Sequence, residues 1–179
     1  MKRDHLINMV WMQTLWFVSV VGAAYSLTWP AFLWFVFFAT WQLQITHRQK
    51  TDIQLMLVSI LIGVILDSAW IKLGWIQFSN PGPLSFIAPP WIIILWSGLG
   101  LTINHSLAWL QNRLFFAGFI AGIISPFSYL AAQRLGALQI LLDSWTWVFG
   151  LALGWALAIP LLLWLANQLT QVIEETYDA

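Results

Sequence analysis

The sequence predicts an all-α membrane protein, a six-transmembrane-helix bundle with an uncharged, hairpin-like periplasmic loop at 75–89. Three observations predict it. Of the 179 residues, 60% are hydrophobic and only 8% charged, with a mean hydropathy of +0.79. A water-soluble domain is about 25% charged, so this list cannot cover a core with a solvated surface. The chain also carries 14 Trp and 12 Phe, and indole rings favour the membrane–water boundary. Finally, its apolar stretches recur near the length of about 20 residues that a spanning helix needs.

Taken in order, the spans fall at 6–27, 30–46, 53–74, 90–110, 114–134 and 144–168, in a single domain. Met1-Lys2-Arg3 before an apolar stretch also fits a signal peptide, with Gly22-Ala23-Ala24 as its cleavage site. Cleavage there would leave the chain starting just before another apolar segment, so the reading keeps an uncleaved first span. Trp29-Pro30 is expected to turn the chain into the second span, with Pro where its missing N–H costs nothing. Between the third and fourth spans, Asn80-Pro81-Gly82-Pro83 separates Trp75–Phe78 from Leu84–Ile87, the pattern of a hairpin-like flap on the outer interface. A shallow re-entrant loop is the rival reading.

Lys2, Arg3, Arg48, Lys50 and Arg113 lie on one side of this layout, Lys72 and Arg134 on the other. The positive-inside rule then places both termini in the cytoplasm and the protein in the inner membrane. The absence of Cys from the sequence excludes disulfides and thiolate chemistry. The formal net charge is zero, with no basic run to grip nucleic acid. No His or carboxylate spacing fits a metal, and no nucleotide or cofactor motif occurs, so neither a metal nor a cofactor is expected.

Small and polar residues mark the inward faces of the spans. Ser59, Gly63, Asp67 and Gly74 share a stripe on the third, and Gly118, Gly122, Ser125, Tyr129 and Gly136 share one on the fifth. Gly150, Gly154 and Ala158 do so on the sixth, while the fourth carries polar groups on two faces. The last four spans are therefore expected to form the interior, and the first two to face lipid.

Asp67 stands out, about 21 Å along its helix at 1.5 Å per residue. A carboxylate at that depth must be paired, protonated or wetted. Lys72 points elsewhere on the same helix, which leaves Tyr129 or Arg134 of the fifth span as partners. Asn104-His105-Ser106 lies near the cytoplasmic end, more than about 10 Å from Asp67 in depth. His105 suits a proton carrier, or a clamp on a carbonyl or headgroup. Ser125-Pro126 breaks the fifth helix, freeing a carbonyl that either Ser125 rebinds or a cavity exposes.

Thr102-Ile103-Asn104-His105-Ser106-Leu107-Ala108-Trp109-Leu110, followed by Pro126-Phe127-Ser128-Tyr129-Leu130-Ala131-Ala132-Gln133-Arg134-Leu135-Gly136-Ala137, resembles a bacterial six-span inner-membrane family filed as a domain of unknown function. Leu66-Asp67-Ser68 and Gly74 also fit its third span, whereas Ser125 and Ala132 stand where that family carries glycine. The resemblance implies six spans and an inner-membrane location but no reaction. Members of that family look to be encoded near lipid-modifying enzymes, which inclines the reading toward lipid chemistry.

The leading expectation is thus a membrane-lipid-modifying enzyme or accessory, with its cavity formed by the last four spans under the 75–89 flap. Asp67, Tyr129 and His105 would be its catalytic groups, and Asn104, Arg134, Lys72 and Ser125 its ligand contacts. Asp143 belongs to the same outer polar group. Membrane lipids are the expected partners. The alternatives are a small proton-coupled transporter and a structural or assembly partner of another membrane protein.

Overall fold

The computed structural model describes residues 3–142 and 144–178, with side chains described up to Gln171; Lys2 and Asp143 lie outside the described residues. Among the described residues six α-helices follow one another: α1 (Arg3–Ala24), α2 (Trp29–Gln42), α3 (Asp52–Lys72), α4 (Pro90–Gly100), α5 (Leu114–Arg134) and α6 (Thr146–Asp178). Four of them, α1, α3, α5 and α6, are long and apolar enough to cross a membrane. α2 has 14 residues and α4 has 11. The helices alternate in direction, so α1, α3 and α5 begin at one end of the bundle, here the N-terminal end, and finish at the opposite end.

Close backbone approach explains the packing. A Cβ on Gly118 or Gly122 of α5 would stand 2.7 or 3.0 Å from the carbonyl oxygens of Ala156 and Ala152 on α6. One on Gly100 would stand 2.5 Å from Cα of Met56, which seats the end of α4 on α3. Small residues thus let neighbouring backbones touch, as helix pairs in lipid require. Gly63 has a different duty, since the indole of Trp96 lies over it and leaves no room for a side chain. Gly74 and Gly136, expected on these stripes, instead follow the ends of α3 and α5 at φ +68° and +86°. They close the helices in a conformation that a Cβ disfavours, and pack no face.

The expected hairpin within 75–89 is not formed. β1 (Ile76–Phe78) pairs antiparallel with β2 (Leu138–Ile140), Gln77 opposite Gln139. Residues 84–87 make only a turn, with Ile87 N–H donating to Leu84 O. The two prolines and Gly82 between the halves carry the chain away before they can pair, and the segment after α5 brings a better partner. The span expected at 90–110 also changes character: α4 stops at Gly100, and turns run through to a 3-10 turn at Ala108–Leu110. α6, in turn, extends ten residues beyond the expected end at 168, taking in the acidic tail.

α1 does not stand apart from the interior. Leu15 and Val20 are buried with Ser19 and Asn8, and α1 packs against both α2 and α4. The first two helices are thus part of the packed interior, and only their outer sides, with Phe17, Phe32 and Phe37, are exposed.

Candidate functional site

Two polar clusters lie inside this apolar bundle. The first is built around Asp67 of α3. Tyr129 of α5 donates from Oη to Asp67 Oδ1 at 2.6 Å, and Trp96 of α4 donates from Nε1 to Oδ2 at 2.8 Å. Each carboxylate oxygen thus has its own donor, which a buried acid requires. Trp96 is fixed in turn by Gly63 beneath it and by Trp155 of α6, stacked at 4.7 Å and 19°. Ser59 ties α3 to the same turn of α4 by donating to Trp96 O at 2.8 Å. Four helices therefore converge on one carboxylate.

The second cluster sits at the N-terminal end. His105 Nε2 lies 2.9 Å from Asp52 Oδ2, an ion-pair geometry, and 3.1 Å from the amide nitrogen of Gln42. One ring nitrogen cannot both donate and accept in this plane. When Nε2 carries the ring proton it donates to Asp52 Oδ2, and the Gln42 amide donates to the carbonyl of His47 at 3.4 Å. Asn104 donates to Asp52 Oδ1 at 2.9 Å and to Thr51 Oγ1 at 2.8 Å. Asn8 of α1 completes the cluster: it donates to Gln42 Oε1 and Leu101 O, and accepts from Ser106 Oγ at 2.6 Å. These bonds pin the turns that follow α4, where Asn8 supplies the partners of Leu101 O and Ser106 N–H.

A cavity of about 590 Å³ runs between α1, α4 and α5. Its walls are mainly Met, Leu, Ile and Trp side chains, with Asp67 and Tyr129 at one end and Thr102 and Ser106 at the other. The volume falls in the range of roughly 300–1,000 Å³ typical of small-molecule sites. Asp67 itself is 0% exposed, against 8% for Tyr129. An occupant therefore meets the tyrosine and Trp96, with the carboxylate held behind them. No residue of 75–89 lines this cavity, and α1 supplies a wall that the sequence reading assigned to lipid.

Of the residues singled out in the sequence, Asp67 and Tyr129 come together, and His105 and Asn104 join in the other cluster. Ser125 lies between α5 and α6, where Oγ reaches Gly122 O at 3.4 Å, the carbonyl that Pro126 frees. The same hydroxyl is 3.4 Å from Leu151 O. Arg134 and Lys72 are exposed in the last turns of α5 and α3, and neither touches Asp67. Sequence reading missed Asn8, Gln42, Asp52, Trp96 and Trp155. Asn8 and Gln42 carried a usable signal, an amide within an apolar span. Asp52 looked like an ordinary helix start.

Over residues 5–161 the chain matches the family described as protein of unknown function (DUF2878). The chain belongs to that family. Among the curated proteins and the solved structures, none matches this DUF2878 chain.

Proposed function

We propose that this DUF2878 protein is a multi-pass inner-membrane protein that holds a membrane lipid in the cavity between α1, α4 and α5. It would act as a lipid-modifying enzyme or as the accessory of one. The observation that carries the reading is the cavity itself: apolar walls of acyl-chain character that end on a tyrosine hydrogen-bonded to a buried carboxylate. Tyr129 is the group that meets the lipid's polar part, and Asp67 is the proton acceptor that orients it. In this reading α2 crosses the bilayer with little tilt, and α4 with the turns to Leu110 makes the fourth crossing, giving six. Lys2, Arg3, Arg48, Lys50 and Arg113 put both termini in the cytoplasm.

The test is a lipid mass-spectrometry comparison of cells lacking the protein with cells re-expressing wild type or Asp67→Asn. A lipid species made only with wild type, while the variant accumulates normally, supports the reading. Identical profiles with folded, abundant protein sink it.

One observation favours a second reading, a proton-coupled carrier. The cavity touches both clusters, because Ser106 lines it and is bonded to Asn8 in the Asp52–His105 network. Interrupted helices beside a central cavity are a carrier feature. Proton flux into liposomes that disappears in His105→Ala would establish this alternative.

A further inference from the structure

The polar side chains along the cavity are not equivalent. Asp67 and Tyr129 bond to each other, Thr102 donates to Leu99 O at 2.6 Å, and Ser106 donates to Asn8. Gln13 of α1 and Ser128 of α5 also line the cavity, and among the described residues neither makes a hydrogen bond. Gln13 lies about 15 Å from the start of α1 at 1.5 Å per residue. That is near the middle of a bilayer whose apolar core is about 30 Å thick. Gln13 is exposed and Ser128 half-buried, so in the bilayer reading above the amide stands without a protein partner at a depth where water does not satisfy it. The hydroxyl of Ser128 likewise forgoes the bond to its own helix that Thr14 makes with Val10 O.

The cavity's charge narrows what answers these two groups. Among the described residues no Lys, Arg or His lines it, and the one carboxylate that does, Asp67, is covered by Tyr129 and Trp96. A phosphate would have no cation to meet, and an ammonium no open carboxylate. An amide and a hydroxyl, each both donor and acceptor, suit an uncharged oxygen.

We propose that Gln13 and Ser128 bind the hydroxyl or ester carbonyl of a neutral lipid, and that the cavity selects such lipids over their phosphorylated counterparts. This rests on the lipid-cavity reading above and adds the class of lipid. The test uses the purified full chain in detergent with two photoreactive probes. One is a diacylglycerol with a diazirine in one acyl chain, the other the phosphatidic acid with the same chains. Diacylglycerol is expected to label cavity peptides carrying Met9, Met12 or Leu99 about tenfold more than phosphatidic acid. The double variant Gln13→Leu, Ser128→Ala removes no bond within the protein. It should elute as wild type does and lose about tenfold of the diacylglycerol labelling, the loss expected for two hydrogen bonds. Equal or stronger labelling by phosphatidic acid, or full labelling of the double variant, overturns this inference and leaves the lipid cavity standing. Absence of cavity labelling by either probe overturns both.

Discussion

At the scale of single residues, Asp67 shows how a buried carboxylate is accommodated. Its two oxygens meet two donors of fixed geometry, a phenol and an indole. Asparagine at this position keeps both contacts, with its oxygen facing Trp96 and its amide donating to Tyr129 Oη. Asp67→Asn should therefore fold with a melting temperature within a few degrees of wild type while losing function. Asp67→Leu strands both donors, at about 1–3 kcal/mol each, and should show a much lower melting temperature in detergent. If the two variants melt alike, the carboxylate is not what these donors depend on. Asn8 makes the corresponding case at the other cluster, joining α1 to α2 and to the segment after α4. Asn8→Leu should destabilise by several kcal/mol, because each partner left behind is buried. Hydrogen exchange across residues 101–107 would rise with it, and unchanged protection there would count against this role.

At the scale of elements, α5 and α6 share the most extensive contact, and the glycines of α5 set their distance. Gly118→Val places atoms where the Ala156 carbonyl already is, so the helices must separate. The expected cost is about 1–3 kcal/mol, read as a lower melting temperature. Gly74→Ala is a useful contrast, since nothing lies within 4 Å of its Cβ position and only its positive φ resists the change. It should cost roughly 1–2 kcal/mol through the backbone alone, with the α5–α6 spacing unaltered. Pro126 belongs at this scale too. Ser125 already covers the carbonyl that the proline frees, so Pro126→Ala, which supplies an N–H there, should shift stability by less than about 1 kcal/mol. A large loss would mean that the kink itself shapes the cavity.

The whole molecule presents a buried carboxylate behind a tyrosine, a cavity walled by α1, α4 and α5, and a second polar cluster that anchors the cavity's other end. On the lipid-binding reading, exhaustive detergent exchange should remove a copurified lipid and lower the melting temperature, and returning it should restore the loss. A lipid at a hundredfold its dissociation constant stabilises by about 2.7 kcal/mol. A melting curve indifferent to delipidation would argue for an empty cavity in the working state. The separation of the two clusters matters here. Asp67 sits about 22 Å along α3 and Asn8 only about 8 Å along α1 at 1.5 Å per residue, so a single centre cannot use both.

By itself the sequence determined the helical class, the apolar character of the helices and Asp67 as a buried carboxylate in need of a partner, with Tyr129 and Arg134 both open as that partner. Helical periodicity and the cost of burying polar groups act locally, and both are written in residue spacing. The tertiary structure decided what depends on neighbours distant in the chain. Strand 76–78 paired with 138–140 because α3 and α5 finish at the same end, which no pattern within 75–89 contains. Asp52 became the partner of His105, and Asn8 and Gln42 joined them, through contacts 34 to 98 residues apart in sequence. A hydrogen bond needs a few ångströms and a direction, and only the packed bundle supplies both. The wall that α1 gives the cavity was hidden for the same reason, since an apolar face reads alike whether lipid or protein covers it.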